Sequence, residues 1–409
     1  MTADNRRIAT LAADRAVHAA FQWLHLHEPQ LRRWQLEFLA IPAPPFLEST
    51  RAQWFCEHFA NLGLENPHLD AEGNALAELS GQREGQQDAP IVLLSAHLDT
   101  VFPAGTDCTP REQEALILGP GACDNGAGLA ALLGLAAALR DAELLPQCTV
   151  LFCANVGEEG SGDLRGMKHL FSASPYAERI RAAIALEGSG TTTVVDRALG
   201  SRRLRVTVSG PGGHSWADAG VPNPILALAS ALLSVANLPL PANPRTTLNC
   251  GTIVGGTSVN SIPESASADL DLRSTSAAEL DRVEMAVLAT LTQTLATENQ
   301  AQTSQSSSPL LHLHIGRIGD RPAGTLAADQ PLACSLRAVD RHLSLSTDSH
   351  IGSTDANLPL SLGVPALAIG CGGTASGIHT LQESYDPTGR ELALRRILLL
   401  LLDACSMVS

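Results

Sequence analysis

Residues 91–99 read IVLLSAHLD. The run from Ile91 to Ala96 is short and apolar, the pattern of a strand buried on both faces, and the polar pair His97 and Asp99 follows at once. Thr149 to Ala154 and Ala182 to Leu186 repeat that pattern. Between the first two lies Ala127 to Arg140, an Ala/Leu-rich helical stretch entered through a glycine-rich loop. Strands alternating with helices predict an α/β domain with a mostly parallel central sheet.

Upstream, residues 8–40 read as helical, IPAPPF at 41–46 breaks the pattern, and 47–62 read as a second helix. Near residue 200 the texture changes. Leu204 to Val208 and Ser267 to Arg273 alternate as half-exposed strands do, with helical segments at 224–237 and 277–297. They predict an inserted α+β domain. The polar, low-complexity run from Glu298 to Pro309 reads as an exposed loop near its end. A helix at 330–342, a strand from Ala366 to Ile369 and a closing helix at 390–405 return to the first domain. The expected boundaries are 1–199 and 317–409 for the first domain, with the insert at 200–316. No internal repeat is visible.

The chain has 409 residues, 44% hydrophobic and 17% charged, which fits a soluble globular protein. A formal net charge of −15 argues against nucleic-acid and anionic-membrane partners. Nine cysteines without a C-x-x-C pair predict reduced thiols and a cytoplasmic location. The first sixteen residues, MTADNRRIATLAADRA, contain no apolar core of a signal peptide, and the apolar run Ile397 to Leu402 is too short to span a bilayer.

A histidine leaving a parallel strand, with a carboxylate two residues on, can bind a metal while the carboxylate orients its ring; the plain alternative is an unrelated loop pair. GPGACDNGAG at 119–128 sets Asp124 among glycines before a helix. Asp124 there could bridge two cations or simply cap the helix. A phosphate loop is disfavoured because the Lys-Ser/Thr ending is absent. NVGEEGSG at 155–162 places Glu158 and Glu159 side by side after a strand. One could ligate a metal while the other moves a proton, or both could be solvated. Glu187 ends a strand, and His379 lies in GGTASGIHTLQE at 372–383. Singly each is weak. Jointly, His97, Asp124, Glu159, Glu187 and His379 each sit beyond a strand or in a glycine-rich loop, a set suited to two Zn²⁺ ions.

This ordered series, H-x-D, G-x-x-D-x-x-x-G, G-E-E, an acidic strand end and a late H-x-x-x-E, resembles the M20 metallopeptidase family over nearly the whole chain. The resemblance implies a zinc-peptidase-like α/β catalytic domain with an inserted α+β lid and dimerisation domain. It implies that Asp124 bridges the metals, that His97 and Glu187 complete one site, and that Glu159 and His379 complete the other. Glu158 would be general base and acid, and Asp99 would orient His97. His214, in GPGGHS at 210–215, would reach the partner subunit's active site, making the protein a homodimer. Asn260, in GTSVNSIP at 256–263, and Arg273 would contact substrate. Glu187 stands where many members carry Asp. Asn125 stands where many carry Asp or Met, beside the site. The runs GEEGSGDLRG and STDANLPLSLGVPA look closer to the tripeptidase-like branch than to the deacylases.

The activity expected is hydrolysis of an amide bond in a small peptide with two Zn²⁺, Co²⁺ or Mn²⁺ ions as alternatives. The alternatives are an N-acyl amino acid deacylase on the same dinuclear site, an aminopeptidase of a different two-zinc family, and a non-catalytic binding module on a hydrolase scaffold. The presence of Glu158 and every expected ligand argues against the last.

Overall fold

The computed structural model describes residues 3–82, 89–303 and 310–408. The chain divides into two units: the first joins the residues up to Ala198 to those from Thr325 onward, and the second runs from Leu199 to Gly324.

In the first unit, strand Ile91–His97 is buried along its whole length and lies inside a sheet of nine strands among the described residues. Thr149–Asn155 and Ile180–Leu186 flank it, both parallel to it, and Ala366–Ile369 extends the parallel set beyond Ile180–Leu186. Ala75–Leu79 and Glu65–Leu69 add antiparallel strands outside Thr149–Asn155. Thr193–Ala198 runs antiparallel to Ala366–Ile369 and parallel to Asp348–Gly352. From Ile91–His97 the chain returns to one side through helix Gly126–Asp141, then crosses to the other side through helix Arg165–Ser172. Strand order therefore reverses around Ile91–His97, and the loops at the carboxyl ends of these strands border a crevice at the switch point.

Helix Gly126–Asp141 is buried on all sides from Gly126 to Leu139, as its unbroken run of Ala, Leu and Gly requires. Helices Arg15–Leu26 and Glu28–Leu39 pack on it. The closing helix, Arg390–Val408, carries two buried guanidinium groups. Arg390 pairs with Glu28 at 2.7 Å and Arg396 with Asp340 at 2.6 Å. Such partners are needed to offset the cost of removing the charges from water.

Two helical readings change. The segment expected at 8–40 is three helices, Ala3–Ala12, Arg15–Leu26 and Glu28–Leu39. Asp14 caps the second by accepting from the Ala16 N–H, and Pro29 sits in the first turn of the third, where its missing N–H costs nothing. The loop expected from Glu298 is helical as far as Thr303, where the helix that starts at Ala277 ends. Polar Glu, Gln and Asn are adequate helix formers, and Asn299 brackets the Leu311 backbone with hydrogen bonds of 2.9 and 3.0 Å. Residues 304–309 of that stretch lie outside the described residues.

The second unit is a four-stranded antiparallel sheet in the order Thr246–Gly255, Ser265–Ser274, Gly200–Ser209, His312–Arg321. Leu204, Val206 and Val208 on one strand and Ala266, Ala268, Leu270 and Leu272 on the next are buried, alternating with more exposed residues. Helices Pro224–Ala236 and Ala277–Thr303 cover that apolar face. The unit extends past residue 316 because strand His312–Arg321 pairs with Gly200–Ser209 along its whole length. No helix of the described residues is long and apolar enough to cross a membrane.

Candidate metal centre

The first unit gathers seven of the sequence-derived candidates. His97 is the last residue of its strand, Glu187 follows Ile180–Leu186 directly, and Glu158 and Glu159 follow Thr149–Asn155. Because these three strands are adjacent and parallel, their carboxyl ends bring the side chains together. His379 arrives from a separate small sheet, on the hairpin between Thr374–Ser376 and Ser384–Asp386.

Two groups share one residue. His97, Asp124 and Glu187 form the first, and Asp124, Glu159 and His379 the second; within each, the ligand atoms all lie within 4.8 Å of one another. Asp124 Oδ1 lies 3.1 Å from His97 Nε2, and Asp124 Oδ2 lies 2.9 Å from His379 Nε2. Glu187 Oε1 is 3.6 Å from His97 Nε2, and Glu159 Oε1 is 3.2 Å from His379 Nε2. Metal–ligand bonds of about 2.1 Å place tetrahedral ligands about 3.4 Å apart, so these separations fit a common ion. Asp124 Oδ1 is buried and receives no well-formed hydrogen bond although His97 Nε2 lies 3.1 Å away; a cation between the two would satisfy both atoms. The nitrogen and oxygen donor set suits Zn²⁺, Co²⁺ or Mn²⁺. Glu158 is buried, and its carboxylate belongs with His97 and Glu159 to a third such group.

The neighbours hold these ligands in place. Asp99 is fully buried and accepts the backbone N–H groups of Glu158 and Glu159 at 2.9 and 2.7 Å, joining the two ligand loops. The expected contact with His97 runs mainly through the Asp99 backbone: Nδ1 lies 3.0 Å from its carbonyl and 3.6 Å from its carboxylate. Either contact puts the proton on Nδ1 and leaves Nε2 for a metal. The plain reading of Asp124 as a helix cap is excluded by Asn125, which caps the helix by accepting from the Gly128 N–H. Asn125 also donates to the Leu186 carbonyl at 2.8 Å, beside Glu187.

Three supports surround these ligands: Glu383, which closes the H-x-x-x-E motif, and two residues to which sequence reading assigned no role. Glu383 is buried and accepts from the backbone N–H groups of Gly121, Cys123 and Asp124. Its position four residues after His379 was the available signal. Arg51 is buried and donates to the Leu98 carbonyl at 2.7 Å. Asp355, also buried, accepts from Asn155 at 2.8 Å. No sequence pattern links Arg51 to the site, and Asp355 lies in the family-like run STDANLPLSLGVPA without a role read for it there.

The electrostatics show crowded negative charge. Burial opposes charging of the His97 ring, yet Glu187, Asp124 and Asp99 hold its pKa well above 6.5. The hydrogen bond to Asp124 raises His379 to about 9. Burial, reinforced by Asp124, raises Glu159 to about 7. Burial likewise raises Glu187, and raises Asp355 to about 7.

His214, Asn260 and Arg273 belong to the second unit. His214 is exposed, and its Nδ1 accepts from the Trp216 and Ala217 N–H groups at 3.2 and 3.3 Å, which leaves Nε2 as the donor of the ring. Asn260 is exposed, with its Oδ1 receiving the Ser258 hydroxyl. Arg273 does not stand free: its Nε pairs with Asp271 Oδ2 at 2.6 Å.

The model of peptidase family M20/M25/M40 matches residues 93–402, well over half the chain, and the protein belongs to that family. A probable carboxypeptidase of Aspergillus clavatus is 29% identical over 220 residues, covering 49% of this chain and 48% of that protein. The chain spans about half the length of the first curated relatives it matches. Among solved structures, a tripeptidase of Staphylococcus aureus aligns with a TM-score of 0.72 at 20% identity, covering 93% of this chain and 99% of that one. A dinuclear metal-binding peptidase of the M20 family from Bacillus subtilis aligns with a TM-score of 0.65 at 14% identity, covering 92% and 98%. These structures share its fold.

Proposed function

We propose that this protein is a two-metal exopeptidase that hydrolyses an amide bond in di- or tripeptides. One observation carries the reading: Asp124 turns its two carboxylate oxygens toward two different histidines, each beside a further carboxylate. His97 and Glu187 would hold one Zn²⁺, Glu159 and His379 the other, with Asp124 shared. Such a pair, when bound, lowers the pKa of a water toward neutrality and polarises the amide carbonyl. Glu158, buried and next to both ligand groups, accepts the proton of the attacking water and passes it to the leaving amine. Asp99 fixes the backbone of Glu158 and so the direction of that carboxylate. His214 would serve the active site of a partner subunit, donating from Nε2 to the developing oxyanion. Asn260 contacts substrate, and Arg273 turns from Asp271 to a substrate carboxylate.

A homodimer is supported by the edge strand Thr246–Gly255, which is exposed along most of its length. Ile253, Val254, Leu226 and Leu233 are apolar and exposed in the same unit. An open, partly apolar edge favours pairing with a second copy. Nine unpaired cysteines accord with a cytoplasmic location.

The test is hydrolysis of a panel of di- and tripeptides and matched N-acetyl and N-succinyl amino acids by Zn²⁺-loaded protein, with and without chelator. Chelator-sensitive cleavage of free peptides is expected. Cleavage of acylated amino acids alone would move the function to deacylation on the same site. Inactivity on both, with two metals bound, would overturn the proposal.

A further inference from the structure

The turn IPAPPF at 41–46 takes no part in the chemistry above. In the fold it forms one wall of a cavity of about 340 Å³, lined by Pro44, Leu47, Val101, Phe102, Pro103 and Glu159 among others. The facing wall is the loop that follows Asp99. The Thr100 N–H donates to the Ala43 carbonyl at 3.0 Å and joins the two walls, while the prolines stiffen both. Arg165 anchors the turn to the segment after Glu159. Its guanidinium lies 5.1 Å over the Phe46 ring and pairs with the buried Glu48 at 2.7 Å.

Three features make this a place for a ligand. The walls carry Pro44, Pro45 and Pro103 and are tied by the Thr100–Ala43 hydrogen bond, which opposes their closing on one another. Leu47 and Val101 stay 57% and 37% exposed, and grouped apolar side chains left open mark binding surfaces. The volume is at the small end of ligand pockets, which span about 300–1,000 Å³, enough for one large side chain. Glu159 is the only charged lining residue, and its carboxylate is turned to His379. The cavity therefore adjoins the metal cluster and offers apolar surface to whatever lies beside the scissile amide.

We propose that this cavity is a substrate subsite for an apolar side chain of the leucine or phenylalanine class, carried by the residue next to the cleaved bond. The inference rests on the amide-hydrolase reading above. The experiment compares kcat/KM for two dipeptide series, X-Gly and Gly-X, and for N-acetyl-X, with X as Leu, Phe, Asp or Lys. In at least one series, Leu or Phe should exceed Asp and Lys by about 10-fold or more. Leu47→Asp and Val101→Asp, each at an exposed position, should remove that preference and raise turnover of the Lys substrate relative to Leu. Metal content and melting temperature should match the parent protein. Hydrolysis with no preference among side chains, or variants that keep the leucine preference, would overturn the subsite alone. No hydrolysis in any series would overturn the amide-hydrolase reading and the subsite with it.

Discussion

Glu158 and Glu159 are neighbours with different surroundings, which is the basis of the different tasks proposed for them. Glu159 faces His379 at 3.2 Å, in ligand position; Glu158 joins His97 and Glu159 at the edge of both metal groups. Replacing Glu158 by Gln keeps the shape and removes the base. Turnover should fall by about 10²–10⁴-fold while metal content by atomic absorption stays at two per chain. Near-normal activity would sink the role. The histidines set a pH dependence. His379 in the metal-free protein holds its proton to about pH 9, above its ordinary 6.5, so a cation must displace that proton. Affinity should therefore rise with pH up to about 9 and level off above. Calorimetry at pH 8 in buffers of different ionisation enthalpy should detect proton release; binding without release would refute the assignment of His379 as a ligand.

At the scale of elements, the entrance to helix Gly126–Asp141 is the most constrained stretch. Asn125 caps the helix, holds the Leu186 carbonyl and accepts the Gly188 N–H at 3.2 Å, so one side chain aligns the Asp124 and Glu187 loops. Gly128 leaves no room there: a Cβ would lie 2.2 Å from Asn125 Oδ1 and 2.6 Å from the Leu186 carbonyl oxygen. Gly128→Ala should therefore be strongly destabilising, by about 2–4 kcal/mol, despite alanine's better helix propensity. A melting temperature within a degree or two of the parent, with full metal occupancy, would show that the contact is more yielding than its geometry. The second element of interest is the edge strand Thr246–Gly255. Val254 is 69% exposed, and Val254→Lys places charge on an edge proposed to pair with a second copy. Sedimentation should change from dimer to monomer; a parent protein that already sediments as a monomer would exclude the dimer.

For the whole molecule, the division of chemistry between units makes the strongest demand. The candidate metal ligands and Glu158 lie in the first unit, while His214, Asn260 and Arg273, the proposed substrate contacts, lie in the second. If His214 serves the partner subunit, inactive His214→Ala and Glu158→Gln proteins should regain part of the parent activity when mixed and allowed to exchange subunits. Without exchange-dependent recovery, His214 acts within its own chain or not at all.

The residue order alone determined a good deal. Short apolar strands ending in His97, Glu158, Glu159 and Glu187 fixed the α/β character and the ligand candidates, because parallel strands expose their carboxyl ends as one row. Alternation near Leu204 and Ser267 marked the second unit. The sequence could not separate ligand from cap at Asp124, since both uses favour Asp before a helix. The fold separates the two uses by giving the cap to Asn125 and leaving Asp124 between His97 and His379 as a candidate shared ligand. Nor could local pattern reveal that Glu383 gathers the amides around Asp124, or that Arg51 holds the Leu98 carbonyl, for these bonds join residues 47 to 262 positions apart. Helix boundaries in residues 8–40 turned on a cap and a proline hidden in a continuous helical texture. Periodicity records which face of an element is buried; which side chains meet across elements is decided by tertiary packing.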